Sequence, residues 1–161
     1  MHGHRFLAIA VTVFAVTACN PFHHQRAVEV STGDVNLNSR WHASLASPAD
    51  LAGAVQMNGS AAMAPGTKGG NTSISLNIAN ASPGGVHPWA VHRGQCSADD
   101  GTFGPPSAYR PVTIDGDGRG SAVATIPFET PTTGMYFVSV RASAANGETV
   151  VACGNLAPPS R

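Results

Sequence analysis

Short β-prone runs separated by glycine and proline turn signals constrain this chain more than any other feature. Trp41-His42-Ala43-Ser44-Leu45 has a period of two, with Trp41, Ala43 and Leu45 on one face and His42 and Ser44 on the other, so His42 is expected to face outward. Further strand signals cover 54–63, 72–80, 86–93, 111–115, 121–128, 135–142 and 149–156, broken by Pro65-Gly66, Gly69-Gly70, Pro83-Gly84-Gly85 and Asn146-Gly147. No stretch has the length and pattern of a long helix. About eight antiparallel strands at this spacing predict an all-β domain, a Greek-key sandwich or barrel.

Charge excludes one class of partner. Nine basic and nine acidic residues balance to a net charge of zero and form no runs. Nothing draws the chain electrostatically to a nucleic acid. With 18 Gly, 12 Pro and 11% charged residues in 161, the composition fits one compact β domain.

The N-terminus reads as an address. A short basic start, Met1 to Arg5, precedes the apolar run Phe6 to Ala18, which is too short to span a bilayer. Residues 1–18 are therefore expected to be a signal peptide. Val16-Thr17-Ala18-Cys19 resembles a bacterial lipobox, in which the cysteine is lipidated and becomes the new N-terminus. That resemblance implies a cell-envelope lipoprotein held to the membrane through Cys19. Asn20 is not the aspartate that commonly retains lipoproteins at the inner membrane, which favours the outer membrane. Residues 19–40 are polar and unpatterned apart from Ala27 to Val30, as expected of a tether. His23-His24 on such a tether lacks the three or four fixed ligands of a tight metal site. The folded domain is expected over 41–157, with a short tail at 158–161.

Two segments carry a family signature. His87-Pro88-Trp89-Ala90-Val91-His92-Arg93-Gly94-Gln95-Cys96 and Ala152-Cys153-Gly154 resemble the copper/zinc superoxide dismutases, and the similarity extends over roughly residues 41 to 156. The resemblance implies a dismutase-like Greek-key sandwich. It also implies a disulfide between Cys96 and Cys153, and cysteine arithmetic agrees, because Cys19 is assigned to lipid and an even pair remains in an oxidising compartment. In the family the positions matching Ala90 and His92 ligate copper, the one matching Val91 packs inward, and the one matching His87 braces the site through a backbone hydrogen bond. Val112 to Gly120 resembles the family's strand, Asp-Gly turn and strand. Read as a calcium loop it would need a bidentate Glu twelve positions from Asp115, where Ile126 stands, so a tight turn is expected.

The family's chemistry is missing where it should appear. Four histidines hold the family's copper; here only His92 stands at such a position, with Ala90 at a second and Val140 aligned with a third. No histidine lies between Cys96 and Tyr109, where the zinc ligands belong, and Val150 replaces the arginine that attracts superoxide. One imidazole is too few ligands for redox copper, and Asp99 and Asp100, hard ligands beside Gly101, read as a solvated loop tip. The chain is thus expected to be a non-catalytic, dismutase-like envelope lipoprotein without cofactor, binding an envelope protein or small ligand. Its candidate contact loop carries Phe103, Pro105, Pro106 and Tyr109, which could instead pack over the face vacated by the metals. The alternative is a copper-binding protein or copper-only superoxide dismutase with a reduced site around His92.

Overall fold

A computed structural model describes residues 39–51 and 53–159. The signal peptide, the lipidation position Cys19, the His23-His24 pair, the run Ala27 to Val30 and the last two residues of the tail lie outside the described residues.

Among the described residues 49% are strand and 6% are helical, and an eight-stranded antiparallel sheet curls into a half-barrel. The strands are β1 (Trp41–Ala46), β2 (Asn58–Pro65), β3 (Thr72–Ala79), β4 (Val86–His87), β5 (Trp89–Gln95), β6 (Ala98–Thr102), β7 (Val112–Thr113), β8 (Gly120–Ile126), β9 (Tyr136–Arg141) and β10 (Val150–Leu156). Their order in the large sheet is β6-β5-β9-β10-β1-β2-β3-β8, while β4 and β7 form a separate ladder. Consecutive strands β1, β2 and β3 are neighbours, but the chain then crosses to the far side of the sheet for β5 and β6. Such a crossover is what a Greek-key arrangement requires.

The strand signals held for the most part, with three differences. Pro88 interrupts the run 86–93, because it cannot donate to a ladder, and splits it into β4 and β5. The run beginning at Ala54 enters the sheet only at Asn58; Ala54 and Val55 donate backbone hydrogen bonds to the Leu51 carbonyl in a turn. An unexpected strand, β6, lies within the segment read as a loop, so Asp99 and Asp100 occupy a strand rather than a loop tip.

Alternation fills the core. Trp41, Ala43 and Leu45 of β1 point inward with Met63 of β2, Ile74 and Leu76 of β3, Trp89 and Val91 of β5, Ile126 of β8 and Val138 and Val140 of β9. Burying each large apolar side chain contributes about 1.5–3 kcal/mol, so this layer dominates the stability of the sandwich. Each buried tryptophan keeps a partner for its indole N–H: Trp41 donates to the Pro131 carbonyl and Trp89 to the Arg110 carbonyl, both at 2.8 Å. The expected tight turn is present. The Asp115 carboxylate accepts the backbone N–H groups of Asp117 and Arg119, at 3.0 and 2.8 Å. A carboxylate engaged in this way organises a turn.

The Cys96–Cys153 disulfide is formed, with Cα atoms 6.0 Å apart, and ties the β5–β6 hairpin to β10. The Asn155 side-chain oxygen reinforces this tie by accepting the Cys96 N–H at 2.9 Å.

Candidate functional site

The site grows from the pairing of β5 with β9. Register sets Trp89 opposite Val140, Ala90 opposite Ser139, Val91 opposite Val138 and His92 opposite Phe137. Side chains of a strand alternate between faces, so Trp89, Val91, Val138 and Val140 share the core face and Ala90, His92, Phe137 and Ser139 share the other. Val140, aligned by the resemblance with a copper-ligand position, is fully buried in the core. The polar side chain that β9 brings to His92 is Ser139.

His92 lies on the outer face, yet only 5% of it is exposed. Its ring stacks on Phe137 with centroids 4.9 Å apart and planes 19° from parallel. Both ring nitrogens are engaged. Nδ1 lies 3.0 Å from either carboxylate oxygen of Asp99, and Nε2 lies 3.0 Å from Ser139 Oγ. Burial works to raise the Asp99 pKa, but the Gly101 N–H, His92 and Arg141 outweigh it and hold the carboxyl below its ordinary value. Asp99 is therefore an acceptor only, which places the ring proton on Nδ1. In the neutral ring Nε2 then accepts the Ser139 hydroxyl proton. Burial is also the main influence on His92; it keeps the pKa below the ordinary value although Asp99 pulls the other way.

Why does Asp99 reach His92? The β5–β6 pairing slips between His92 and Gly94, where Gly94 takes a φ of +96°. A Cβ at Gly94 would run into the Ala98 carbonyl oxygen. The resulting bulge folds β6 back beside β5, and the Gly101 N–H fixes the Asp99 carboxylate with a 2.7 Å hydrogen bond. Arg141, on the same face of β9, brings its Nη2 to 3.9 Å from Asp99 and donates from Nη1 to the Gly147 carbonyl at 2.7 Å. Sequence reasoning missed Ser139 and Arg141. A glycine inside a strand, Gly94, was the available signal for the bulge.

His87 serves the same clasp from below. Its Nδ1 donates to the Arg141 carbonyl at 3.0 Å, and the Arg141 N–H donates to the Pro88 carbonyl at 2.8 Å. These bonds lock β4 and the start of β5 to the end of β9.

At the positions that the resemblance aligns with copper ligands, the described residues bring a single imidazole, His92. His92 Nε2, the nitrogen free to ligate once Asp99 holds Nδ1, is taken by Ser139. Ala90 offers no donor, and Val140 faces away. Among the described residues no three His, Cys, Asp or Glu side chains converge. Carboxylate, imidazole and hydroxyl do stand in the order that activates a nucleophilic serine. Ser139, however, is 1% exposed, so its hydroxyl does not meet a substrate carbonyl. The array joins β5, β6 and β9 through a buried His92–Ser139 pair, with Asp99 at its solvent-exposed edge.

The loop after β6 turns largely inward. Tyr109 is buried, packs edge-on against Trp89 at 5.2 Å and donates its hydroxyl to the Phe103 carbonyl at 2.6 Å. Phe103 is half-buried against Tyr136 and Phe128, at 5.5 and 6.4 Å between centroids. Pro105 is half-buried, and Pro106 alone of the four is exposed. The chain matches no protein-family model and no curated protein.

Proposed function

We propose that the chain is a non-catalytic, dismutase-like binding or structural module of the bacterial cell envelope, anchored through lipid on Cys19. One observation carries the non-catalytic reading: both nitrogens of His92, the single histidine at a family copper position, are hydrogen-bonded within the protein. A metal arriving there would have to displace Ser139 from Nε2 and then find further ligands where Ala90 stands. The inward packing of Phe103 and Tyr109 supports a scaffold role for their loop, leaving Pro106 and its neighbours as its outer surface.

Copper loading tests the reading. The full chain, exposed to Cu(I) or Cu(II) and washed, is expected to retain less than about one equivalent and to leave superoxide untouched, because one imidazole does not hold redox copper. Tight stoichiometric copper that disappears in His92→Ala would establish the copper-binding alternative. The anchor has its own test: Cys19→Ser should move the protein out of the membrane fraction, and unchanged partitioning would refute lipidation.

A further inference from the structure

One end of the sandwich gathers exposed apolar side chains where the chain enters it. Register sets Trp41, the first residue of β1, level with Met63 near the end of β2, Ile74 near the start of β3 and Ala124 near the end of β8. On the other side of β1, Ala157 bridges to His42, and the ladder from β10 places Tyr136, the first residue of β9, and Arg93 of β5 at the same end. Phe128 follows β8 here and Met135 precedes β9, and they are 52% and 58% exposed. Among the described residues Phe128 is the only aromatic side chain in the exposed class.

Both groups are held in position. Trp41 meets Tyr136 edge-on at 5.5 Å, Tyr136 meets Phe103 at 5.5 Å and Phe103 meets Phe128 at 6.4 Å, a row of rings that runs from the core to solvent. The Thr72 hydroxyl donates to the Phe128 carbonyl at 2.8 Å, and Gln95 Nε2 donates to Met135 Sδ at 2.9 Å. Apolar groups already fixed at a surface lose little freedom when they are covered. Charge at this end is balanced, because Arg40, Lys68 and Arg93 are matched by Asp99, Asp100 and Glu129. Apolar contact, and not attraction to anionic groups, therefore has to carry any docking here.

The entry point of the chain selects the occupant. Arg40 leads directly into β1, so the segment expected to tether the domain to lipid joins it at this end, and Val86, 51% exposed, lies at the opposite one, where β4 meets the end of β9. A coil of about 20 residues has a root-mean-square reach of about 25 Å, so the end it joins is the end held nearest the bilayer. We infer that Phe128 and Met135 rest in the interfacial layer of the membrane and seat the sandwich with the start of β1 toward the lipid. At that depth an apolar ring and a thioether leave water for the acyl boundary while the long charged side chains around them stay hydrated. The inference rests on the lipid anchor proposed for Cys19.

Reconstitution of the protein purified from cells into phosphatidylcholine vesicles tests anchor and orientation separately. Flotation with the vesicles reads the anchor. Quenching by lipids brominated near the head of the acyl chain reads the orientation, from a tryptophan placed by Phe128→Trp or, at the opposite end, by Val86→Trp, with the native chain and its buried Trp41 and Trp89 as background. Quenching at Phe128→Trp should exceed that at Val86→Trp at least about threefold and survive high salt. Met135→Trp repeats the measurement at the same end, which keeps the test decisive if Phe128→Trp fails to fold. Vesicle-bound protein quenched equally at the two ends overturns the inference and leaves the anchor standing. Emission at Phe128→Trp that responds to protein concentration and not to brominated lipid assigns the patch to a second copy and overturns it too. Failure to float removes the anchor, and the inference falls with it.

Discussion

His92 Nε2 and Ser139 Oγ lie 3.0 Å apart across neighbouring strands, both almost wholly removed from solvent. Each nitrogen of the buried His92 imidazole has a partner, Asp99 on Nδ1 and Ser139 on Nε2, while Phe137 covers the ring. The position that the resemblance associates with copper is thus built as a three-strand brace. Its members come from β5, β6 and β9, so the network fastens the sheet's edge hairpin to its interior.

Ser139→Ala removes the hydroxyl and leaves Nε2 buried and unsatisfied. The expected loss is about 1–3 kcal/mol, read from the urea midpoint. Replacing both partners by apolar groups should cost less than the sum of the single changes, so the double variant His92→Phe with Ser139→Ala completes a cycle. Strict additivity would show that the two residues are not coupled.

Acid should weaken the fold in two stages. His92 has a folded-state pKa below its ordinary value of 6.5, so the unfolded chain binds its proton more readily, and stability held above pH 6.5 is lost as pH falls through the folded-state value. Asp99 is likewise lowered from 3.8, and its contribution disappears only at still lower pH. Thermal midpoints measured between pH 8 and pH 4, for the native chain and His92→Phe, check the upper stage. The variant should lack it, and identical curves would contradict the assignment.

Legibility in the sequence followed burial. β1 could be read because Trp41, Ala43 and Leu45 are buried and His42 and Ser44 exposed, the strict alternation of a one-sided strand. In β9, Phe137, Val138, Ser139 and Val140 are all buried, so alternation cannot say which face Ser139 takes; only pairing with Ala90 decides. β6 hid for the opposite reason. Ala98 to Gly101 are exposed on both faces of an edge strand, leaving no apolar pattern to find. The contact between Asp99 and His92 depends on the bulge at Gly94, a backbone event signalled by a single glycine. The disulfide was readable because the resemblance and the cysteine count converged on the same pair.

Breaking that disulfide should be costly. It spans 57 residues, and a cross-link over such a loop removes about 4 kcal/mol of unfolded-state entropy on the chain-entropy model. Denaturation with and without reductant, set beside the double variant Cys96→Ser with Cys153→Ser, measures the difference. Two free thiols by mass spectrometry in the protein purified without reductant, or no change in midpoint on reduction, would refute a structural bridge.

Gly154, next to Cys153, shows why the Ala-Cys-Gly segment needs its glycine. A Cβ there would collide with the Ser44 carbonyl oxygen and would stand 2.9 Å from the Ser44 carbonyl carbon and 3.2 Å from Leu45 Cα. All of these are backbone atoms, which do not move aside as a side-chain tip would. Gly154→Ala must therefore push β1 away from β10, straining the pairs Ala46 with Cys153 and His42 with Ala157 that flank the contact. A cost at or above the 1–3 kcal/mol typical of overpacking is expected. Gly69→Ala is the control, since a Cβ there meets nothing within 4 Å and should change stability by no more than about 0.5 kcal/mol. If the two variants unfold at the same urea concentration, the close approach of β1 to β10 is wrong. If Gly154→Ala alone collapses, the glycine is held by strand packing, a constraint that acts without any metal chemistry at His92.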